Sequence, residues 1–205
     1  MQPNQLVAII GPVGSGKSSV LQVGDGGQSK DTKKYLQAIL RELPTSSGTV
    51  SVQGSLSYSP QEAWVFSGSV RANILFGEKF DENRYWEVVE ACALIHDFDQ
   101  WENGDATLVG ERGVALSGGQ KARVNLARAC YRSHQVILLD DPLSAVDAHV
   151  GKHLFEKCIR GLLKEKVSST LIICTTPMQA VLLVTHQLQY LREAYDIVVL
   201  AGGRC

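Results

Sequence analysis

The chain has 205 residues, of which 44% are hydrophobic and 20% are charged, and its net charge is −1 at pH 7. This composition is typical of one globular domain and excludes a strongly basic surface for nucleic acid. No apolar run approaches the roughly 18 residues of a membrane span, and the N-terminus lacks the features of a signal peptide. The five cysteines are dispersed without a C-x-x-C pair, which indicates reduced thiols rather than a disulfide framework or zinc site.

Short apolar runs alternate with helical patterns along the chain. Strands are predicted over residues 6–10, 50–58, 136–139, 181–184 and 197–200. Helices are predicted from Lys17, over 81–94 with an apolar side of Trp86, Val88, Val89 and Ala93, from an N-cap at Ser117 through Ala129, and over 150–163. Such alternation predicts an α/β fold, with a parallel sheet flanked by helices.

The segment from Gly11 to Ser18 fits the pattern G-x-x-x-x-G-K-[ST] and lies between the first strand and a predicted helix. Glycines let backbone N–H groups turn toward phosphate oxygens, and the helix N-terminus adds positive potential. The pattern predicts Lys17 on the β- and γ-phosphates and the Ser18 hydroxyl on Mg²⁺. The nucleotide contacts expected here are Gly11, Gly14, Ser15, Gly16, Lys17, Ser18 and Ser19. A glycine-rich turn with an unrelated lysine is the alternative.

A second candidate for the metal site is Asp140, which follows the apolar run 136–139. A carboxylate at the end of a buried strand, beside a phosphate loop, is well placed to help hold Mg²⁺. The alternative is an ordinary turn residue before Pro142, since Asp and Pro are common in turns. Together with the phosphate loop, Asp140 predicts a Mg²⁺–ATP site.

Further motifs resemble those of ABC transporter nucleotide-binding domains, in the family's order and over nearly the whole chain. Leu116-Ser117-Gly118-Gly119-Gln120 is similar to the signature sequence, Gln61 to the Q-loop glutamine, residues 144–147 (SAVD) to the D-loop, and His186 to the switch histidine. The wording of residues 110–113 and 140–147 resembles the first nucleotide-binding domain of multidrug-resistance-associated, C-subfamily transporters.

This resemblance implies a P-loop NTPase-type sheet with a helical signature subdomain, and a single ATP-binding domain over residues 1–205. It implies that Asp141, His186 and Gln61 act in catalysis, that Ser18, Gln61 and Asp140 serve the metal, and that Ser117, Gly118, Gly119 and Gln120 contact ATP held by a second nucleotide-binding domain. The implied partners are that second domain, in a head-to-tail ATP sandwich, and the transmembrane domains of the same exporter. The implied location is the cytoplasmic face of a membrane.

One residue departs from the family pattern. The family's general base is usually a Glu directly after the metal-site Asp, and here that position is Asp141, one methylene shorter. A displacement of about 1 Å can reduce catalysis about 10²-fold. We therefore expect weak hydrolysis at this domain's own phosphate loop. The alternative function is a regulatory module that binds nucleotide with little or no turnover.

Two stretches, 23–37 and 167–179, do not fit the family's wording. The first has three glycines in a predicted helix, each unfavourable by about 1 kcal/mol relative to Ala. Joining Gln22 to Ala38, or Lys166 to Ala180, restores the expected wording. Both stretches begin with Val and end with Gln, whose codons can carry the first and last letters of an intron. Retained introns translated in frame are our hypothesis, and genuine surface loops are the alternative.

Ten residues precede Gly11, whereas the family places an adenine-stacking aromatic residue upstream. We therefore expect a fragment of a longer transporter, truncated at the N-terminus. Other possibilities are a soluble ABC ATPase of DNA repair or translation, and the product of a faulty gene model. His149 and His153, four residues apart, are interpreted as a solvated helix face. Trp64 and Phe66 fit either core packing or a surface for transmembrane coupling helices.

Overall fold

The computed structural model describes residues 5–10, 39–40, 52–111, 113–162 and 180–199. The phosphate loop and both non-family stretches lie outside these ranges. The strands are β1 (Leu6–Ile10), β2 (Leu56–Ser59), β3 (Gly68–Ser69), β4 (Leu108–Val109), β5 (Val136–Asp140), β6 (Ala180–Val184) and β7 (Asp196–Val199). The α-helices are α1 (Val70–Leu75), α2 (Glu82–Ala91), α3 (Ile95–Gln100), α4 (Gly118–Tyr131) and α5 (Ala148–His153), which continues as the π-helical segment Leu154–Leu162.

A five-stranded parallel sheet in the order β2-β5-β6-β1-β7 organises the molecule, and β3 and β4 form a separate antiparallel pair. The three central strands carry uninterrupted apolar runs because both of their faces are covered. One face packs against α4 through residues such as Leu126, and the other contacts Ile39 and Leu40. The predicted α/β class is confirmed.

Helices α1 and α2 pack against α4, and α2 also contacts the π-helical segment. These helices form the helical region expected around the signature sequence. Among the residues that the structure describes, no helix is long and apolar enough to cross a membrane.

Several predicted boundaries and faces were wrong. Within the described part of the predicted 50–58 run, strand β2 begins only at Leu56, because Gly54 has a φ of 101° and breaks the extended chain. The predicted 81–94 helix ends at Ala91, because Ala93 adopts a left-handed φ of 54° and a separate helix, α3, follows. Trp86 is 41% exposed rather than part of the buried face. At the sheet edge, β7 is largely exposed, with Val199 at 56%.

Candidate functional site

The carboxyl ends of three neighbouring strands meet at one edge of the sheet. Val184 of β6 lies in register with Ile9 of β1 on one side and with Asp140 of β5 on the other. Gly11, the first residue of the phosphate-loop motif, comes directly after β1. In open parallel sheets, ligands bind outside the carboxyl ends of the strands. The fold therefore places Asp140 at the edge where the phosphate loop begins.

Asp140 is the last residue of β5 and is 2% exposed. The Tyr58 hydroxyl lies 3.4 Å from its Oδ2 atom, a long contact from the neighbouring strand β2. Burying a carboxylate is unfavourable unless a cation or hydrogen-bond donors compensate for it. A carboxylate oxygen at this position is a ligand type that Mg²⁺ prefers.

Asp141 has an unusual backbone, with a φ of 48° in the left-handed region. Its N–H donates to Val184 O at 2.9 Å, and its carbonyl accepts from the Ser144 hydroxyl at 2.8 Å. Asp is one of the few non-glycine residues that tolerate this conformation. The backbone that carries the shortened side chain is thus held on both sides.

Gln61 lies two residues beyond β2, on the surface, and it lines a narrow cleft together with Asn125, Asp141 and Ser144. The cleft encloses about 10 Å³, close to the roughly 10–15 Å³ that one water molecule requires. The structure therefore brings Gln61 and Asp141, two of the predicted catalytic residues, to the same cleft.

His186 is exposed in the loop after β6, and hydrogen bonds on both sides fix that loop. The Thr185 N–H donates to Ile9 O at 3.2 Å, and the Gln187 side-chain amide donates to Leu143 O at 3.2 Å. These bonds hold His186 at the same edge as Asp140, between the end of β1 and the chain that follows β5.

The signature sequence begins α4 with a capping box. The Ser117 hydroxyl accepts from the Gln120 N–H at 3.2 Å, and the Gln120 side chain accepts from the Ser117 N–H at 2.9 Å. The predicted N-cap is confirmed. Ser117 and Gly118 are exposed, so the start of α4 is accessible to solvent.

The two signature glycines have different surroundings. A Cβ atom at Gly119 would lie 3.2 Å from the carbonyl oxygen of Ala145, in the D-loop motif, whereas a Cβ at Gly118 would meet nothing within 4 Å. Gly119 therefore permits close packing inside this chain. Gly118 leaves the N-terminus of α4 accessible to a ligand that comes from outside this chain.

A buried ion pair, which the sequence analysis missed, supports the signature turn. Asp97 of α3 is 4% exposed and pairs with Arg123 of α4 at 2.8 Å. Its other oxygen accepts from the Gln120 side chain at 2.9 Å. Both ends of the Gln120 amide are therefore engaged within the protein, where they join α3 to the signature turn. The pair joins two helices that are separated along the chain, so no local sequence pattern indicates it.

The sequence analysis also missed a polar link from α4 to the end of β2. Asn125 is 3% exposed, and its side-chain amide donates to the Ser59 hydroxyl at 3.0 Å. A buried Asn in the middle of an apolar helix face is the one sequence signal that could have indicated it. The link connects the signature helix to the strand that leads to Gln61.

The two histidines that were expected on a solvated helix face differ in exposure. His149 is exposed and His153 is half-buried, with its Nε2 atom 3.1 Å from Glu90 O. In the described part of the chain, no group of three or more His, Cys, Asp or Glu side chains is arranged to hold a metal. The expected Mg²⁺ set, one carboxylate with hydroxyl and amide oxygens, is of a different kind.

Trp64 and Phe76 present an aromatic surface: they are 44% and 52% exposed, with ring centroids 5.7 Å apart. The Phe66 ring, half-buried, lies 6.0 Å from that of Phe76. We call Trp64, Phe66 and Phe76 the aromatic patch. The two exposed rings are not explained by core packing, because they face solvent. Exposed apolar patches commonly mark contact surfaces.

A family model described as "ABC transporter" matches residues 1–144. Mouse "ATP-binding cassette sub-family C member 4" is 51% identical over 202 residues, covering 98% of this chain and 13% of that protein. The human protein of the same description is 49% identical over 204 residues, covering 100% and 13%. The Drosophila melanogaster "Probable multidrug resistance-associated protein lethal(2)03659" is 51% identical over 204 residues, with the same coverages. The chain thus spans about 13% of the length of these relatives.

Proposed function

Because the chain belongs to the ABC transporter family, we propose that it binds Mg²⁺–ATP and powers substrate export by an ABC transmembrane transporter. The observation that carries this proposal is the shared sheet edge, at which Gly11 follows β1 while Asp140, Asp141 and His186 lie at the ends of β5 and β6. ATP-binding domains of this family are ATPases in general. The family match also supports the P-loop NTPase class of the fold.

The residues of this chain divide the work by chemistry. Lys17 and the backbone of Gly11–Ser18 bind the phosphates, while Ser18, Gln61 and Asp140 supply oxygen ligands for Mg²⁺, whose charge neutralises phosphate oxygens. Asp141 orients a water in the cleft that it shares with Gln61. His186 makes a polar contact with the γ-phosphate.

Asp141 supports weak hydrolysis at this site. Its backbone is fixed by hydrogen bonds to Val184 and Ser144, so the carboxylate cannot advance freely by the missing methylene. A general base must come within about 3 Å of the proton that it accepts. The second candidate function, a regulatory module with little turnover, rests on this same observation.

The exposed signature turn supports a second nucleotide-binding domain as a partner. Ser117, Gly118 and Gly119 provide a hydroxyl and N–H groups at a helix N-terminus, a site suited to a phosphate. They are placed to act on ATP held by the other domain in a head-to-tail sandwich. We propose the aromatic patch as the contact with the transmembrane domains, and the cytoplasmic face of a membrane as the location of the chain.

Binding of Mg²⁺–ATP to the purified chain tests the central proposal. Calorimetric titration should show saturable, Mg²⁺-dependent binding, weakened at least tenfold by Lys17→Ala and by Asp140→Asn. The matched control is Lys152→Ala, an exposed lysine of α5, which should leave the affinity unchanged. Saturable binding that neither Lys17→Ala nor Asp140→Asn weakens would disprove the assigned site.

The stretches 23–37 and 167–179 are proposed to be non-family inserts from retained introns. Deleting both should join Gln22 to Ala38 and Lys166 to Ala180, restoring an uninterrupted helical pattern after the phosphate loop. We expect the deletion variant to bind Mg²⁺–ATP more tightly than the full chain. Mature transcripts that uniformly contain both stretches would contradict the intron origin.

A further inference from the structure

A cavity of about 190 Å³ lies between β2 and α4. Its lining includes the rings of Trp64 and Phe76 and the polar side chains of Asn125, Arg128, Arg132 and His134. Pockets for drug-sized ligands usually measure about 300–1,000 Å³. This cavity is therefore suited to a single side chain or a very small molecule.

Arg128 is a buried cation whose partners are all uncharged. It is 9% exposed, and its Nε atom donates to Asn73 O at 2.8 Å, while its terminal nitrogens reach Asn73 Oδ1 at 3.0 Å, Trp64 O at 3.2 Å and Asn125 Oδ1 at 3.4 Å. Its guanidinium carbon lies 4.0 Å from the centre of the Trp64 ring. Burial lowers the pKa of Arg128 to about 10. Buried charges are ordinarily paired with an opposite charge, and no carboxylate in the described ranges pairs with this one.

His134 supplies an independent sign of a missing ligand. The side chain is 8% exposed, and its Nδ1 atom has no hydrogen-bond partner among the described residues. Burial and the neighbouring Arg132 lower the pKa of His134. The imidazole ring is therefore neutral near pH 7. Arg132 itself pairs with Glu78. Among the described residues that line the cavity, Arg128 thus carries a positive charge without a counter-charge.

We propose that this cavity receives the carboxylate of an acidic side chain from a polypeptide that docks on the aromatic patch. The carboxylate pairs with Arg128 and accepts a hydrogen bond from the Nδ1–H tautomer of His134. The inference rests on the proposed function only in that a transporter provides such a polypeptide. The chemistry of the recognised group, a carboxylate beside apolar side chains, follows from the cavity itself.

A docked polypeptide fits this site better than a free anion. Trp64 and Phe76 line the cavity and are also the exposed rings of the patch, so an acidic residue can enter while its neighbours pack on the rings. An anion held in a chain that is already docked loses less translational freedom than a free one. Hydrogen bonds to ionised partners are about twice as strong as neutral ones, so charge should decide the preference.

A pair of peptides tests the proposal on the intact chain. The probes are N-acetyl-Ala-Phe-Glu-Phe-Ala-amide and its Gln counterpart, which has the same shape without the charge. Binding is followed by the NMR signals of the His134 ring, without nucleotide. We expect at least tenfold tighter binding of the Glu peptide, and a pKa of His134 that rises when it is bound. Equal affinities, or no binding of the Glu peptide up to millimolar concentration, would overturn the proposal.

Two variants and a free anion complete the test. Arg128→Met should reduce the preference for Glu over Gln to less than twofold, whereas Lys152→Met, which removes an exposed cation outside the cavity lining, should retain it. The wild-type comparison stands even if Arg128→Met fails to fold. Acetate binding as tightly as the Glu peptide would overturn the polypeptide occupant in favour of a small-anion site. Since no ATP is present, failure of nucleotide binding would leave this result interpretable.

Discussion

The signature turn and the carboxyl edge of the sheet both face nucleotide in the proposed function, but they are built in opposite ways. At the sheet edge, Asp140 and Asp141 are 2% and 6% exposed, and the backbone of Asp141 is held in a left-handed conformation. At the turn, Ser117 and Gly118 are exposed and open to a partner. Asp141, the residue that departs from the family pattern, lies at the buried edge, whereas the residues of the exposed turn match that pattern. The proposed function therefore assigns weak hydrolysis to the domain's own site and an intact contact to the partner's site.

The largest expected effect comes from placing a carboxylate on the signature turn. In a reconstituted pair with a second cassette, Gly118→Asp should reduce turnover at the partner's ATP site about 10³-fold. Two like charges 4 Å apart at an effective dielectric constant of 20 repel by about 4 kcal/mol, and each 1.36 kcal/mol is tenfold in rate. Gly118→Ala is the control, because its Cβ has open space. A similar loss in both variants would show that packing, not charge, matters here.

Next in size is the ion pair beneath the turn. Arg123→Met leaves Asp97 buried without its cation and should lower the free energy of unfolding by about 3 kcal/mol. Urea denaturation measures this change. Lys152→Met removes an exposed pair with Glu156 and should change stability by less than about 0.5 kcal/mol. If the two variants unfold alike, α3 does not hold the turn in place.

Asp141→Glu tests the other region directly. Restoring the missing methylene should raise hydrolysis at this domain's own site up to about 10²-fold. The measurement is turnover in a two-cassette pair in which only this site is active. Asp141→Asn, which keeps the length but removes the base, should not raise it. Unchanged turnover in the Glu variant would show that something other than the length of this side chain limits the site.

The smallest expected effect comes from removing the hydroxyl of Ser117, and it separates the capping of α4 from a contact with nucleotide. Ser117→Ala should destabilise the chain by about 1 kcal/mol, and Asp81→Ala, at the N-cap of α2, should do the same. Only the first should also reduce turnover at the partner's site. Parallel thermal melts and rate measurements on both variants make the comparison. Equal effects on turnover would mean that Ser117 acts through stability alone.

The central strands and the start of α4 could be predicted because local sequence decides them. Continuous apolar runs define β1, β5 and β6, and Ser117 with Gln120 three residues later specifies a capping box. Asp140 was placed correctly at the end of its strand for the same reason. These features need no knowledge of distant contacts.

Elements that depend on tertiary packing were not predictable. Helix α1 has six residues, too few to be stable alone, and its Asn73 side chain exchanges hydrogen bonds with Phe66. The helix break at Ala93 could not be predicted, because no glycine marks it in the sequence. The change from α5 to a π-helical segment at Leu154 alters hydrogen bonding without altering the apolar pattern that predicted a helix. Residues such as Arg128 gain their role only from neighbours far along the chain.

Three buried thiols, at the C-cap of α2, in α4 and in the π-helical segment, can report on opening of the core. Cys92 and Cys130 each approach Cys158, with Sγ–Sγ distances of 3.7 and 3.4 Å, and all three are free and fully enclosed. A thiol reagent can reach them only when these elements separate. With Cys174 and Cys205 replaced by serine, the labelling rate would report how often the core opens. Each Cys158 side chain that becomes labelled would then report one opening of the domain.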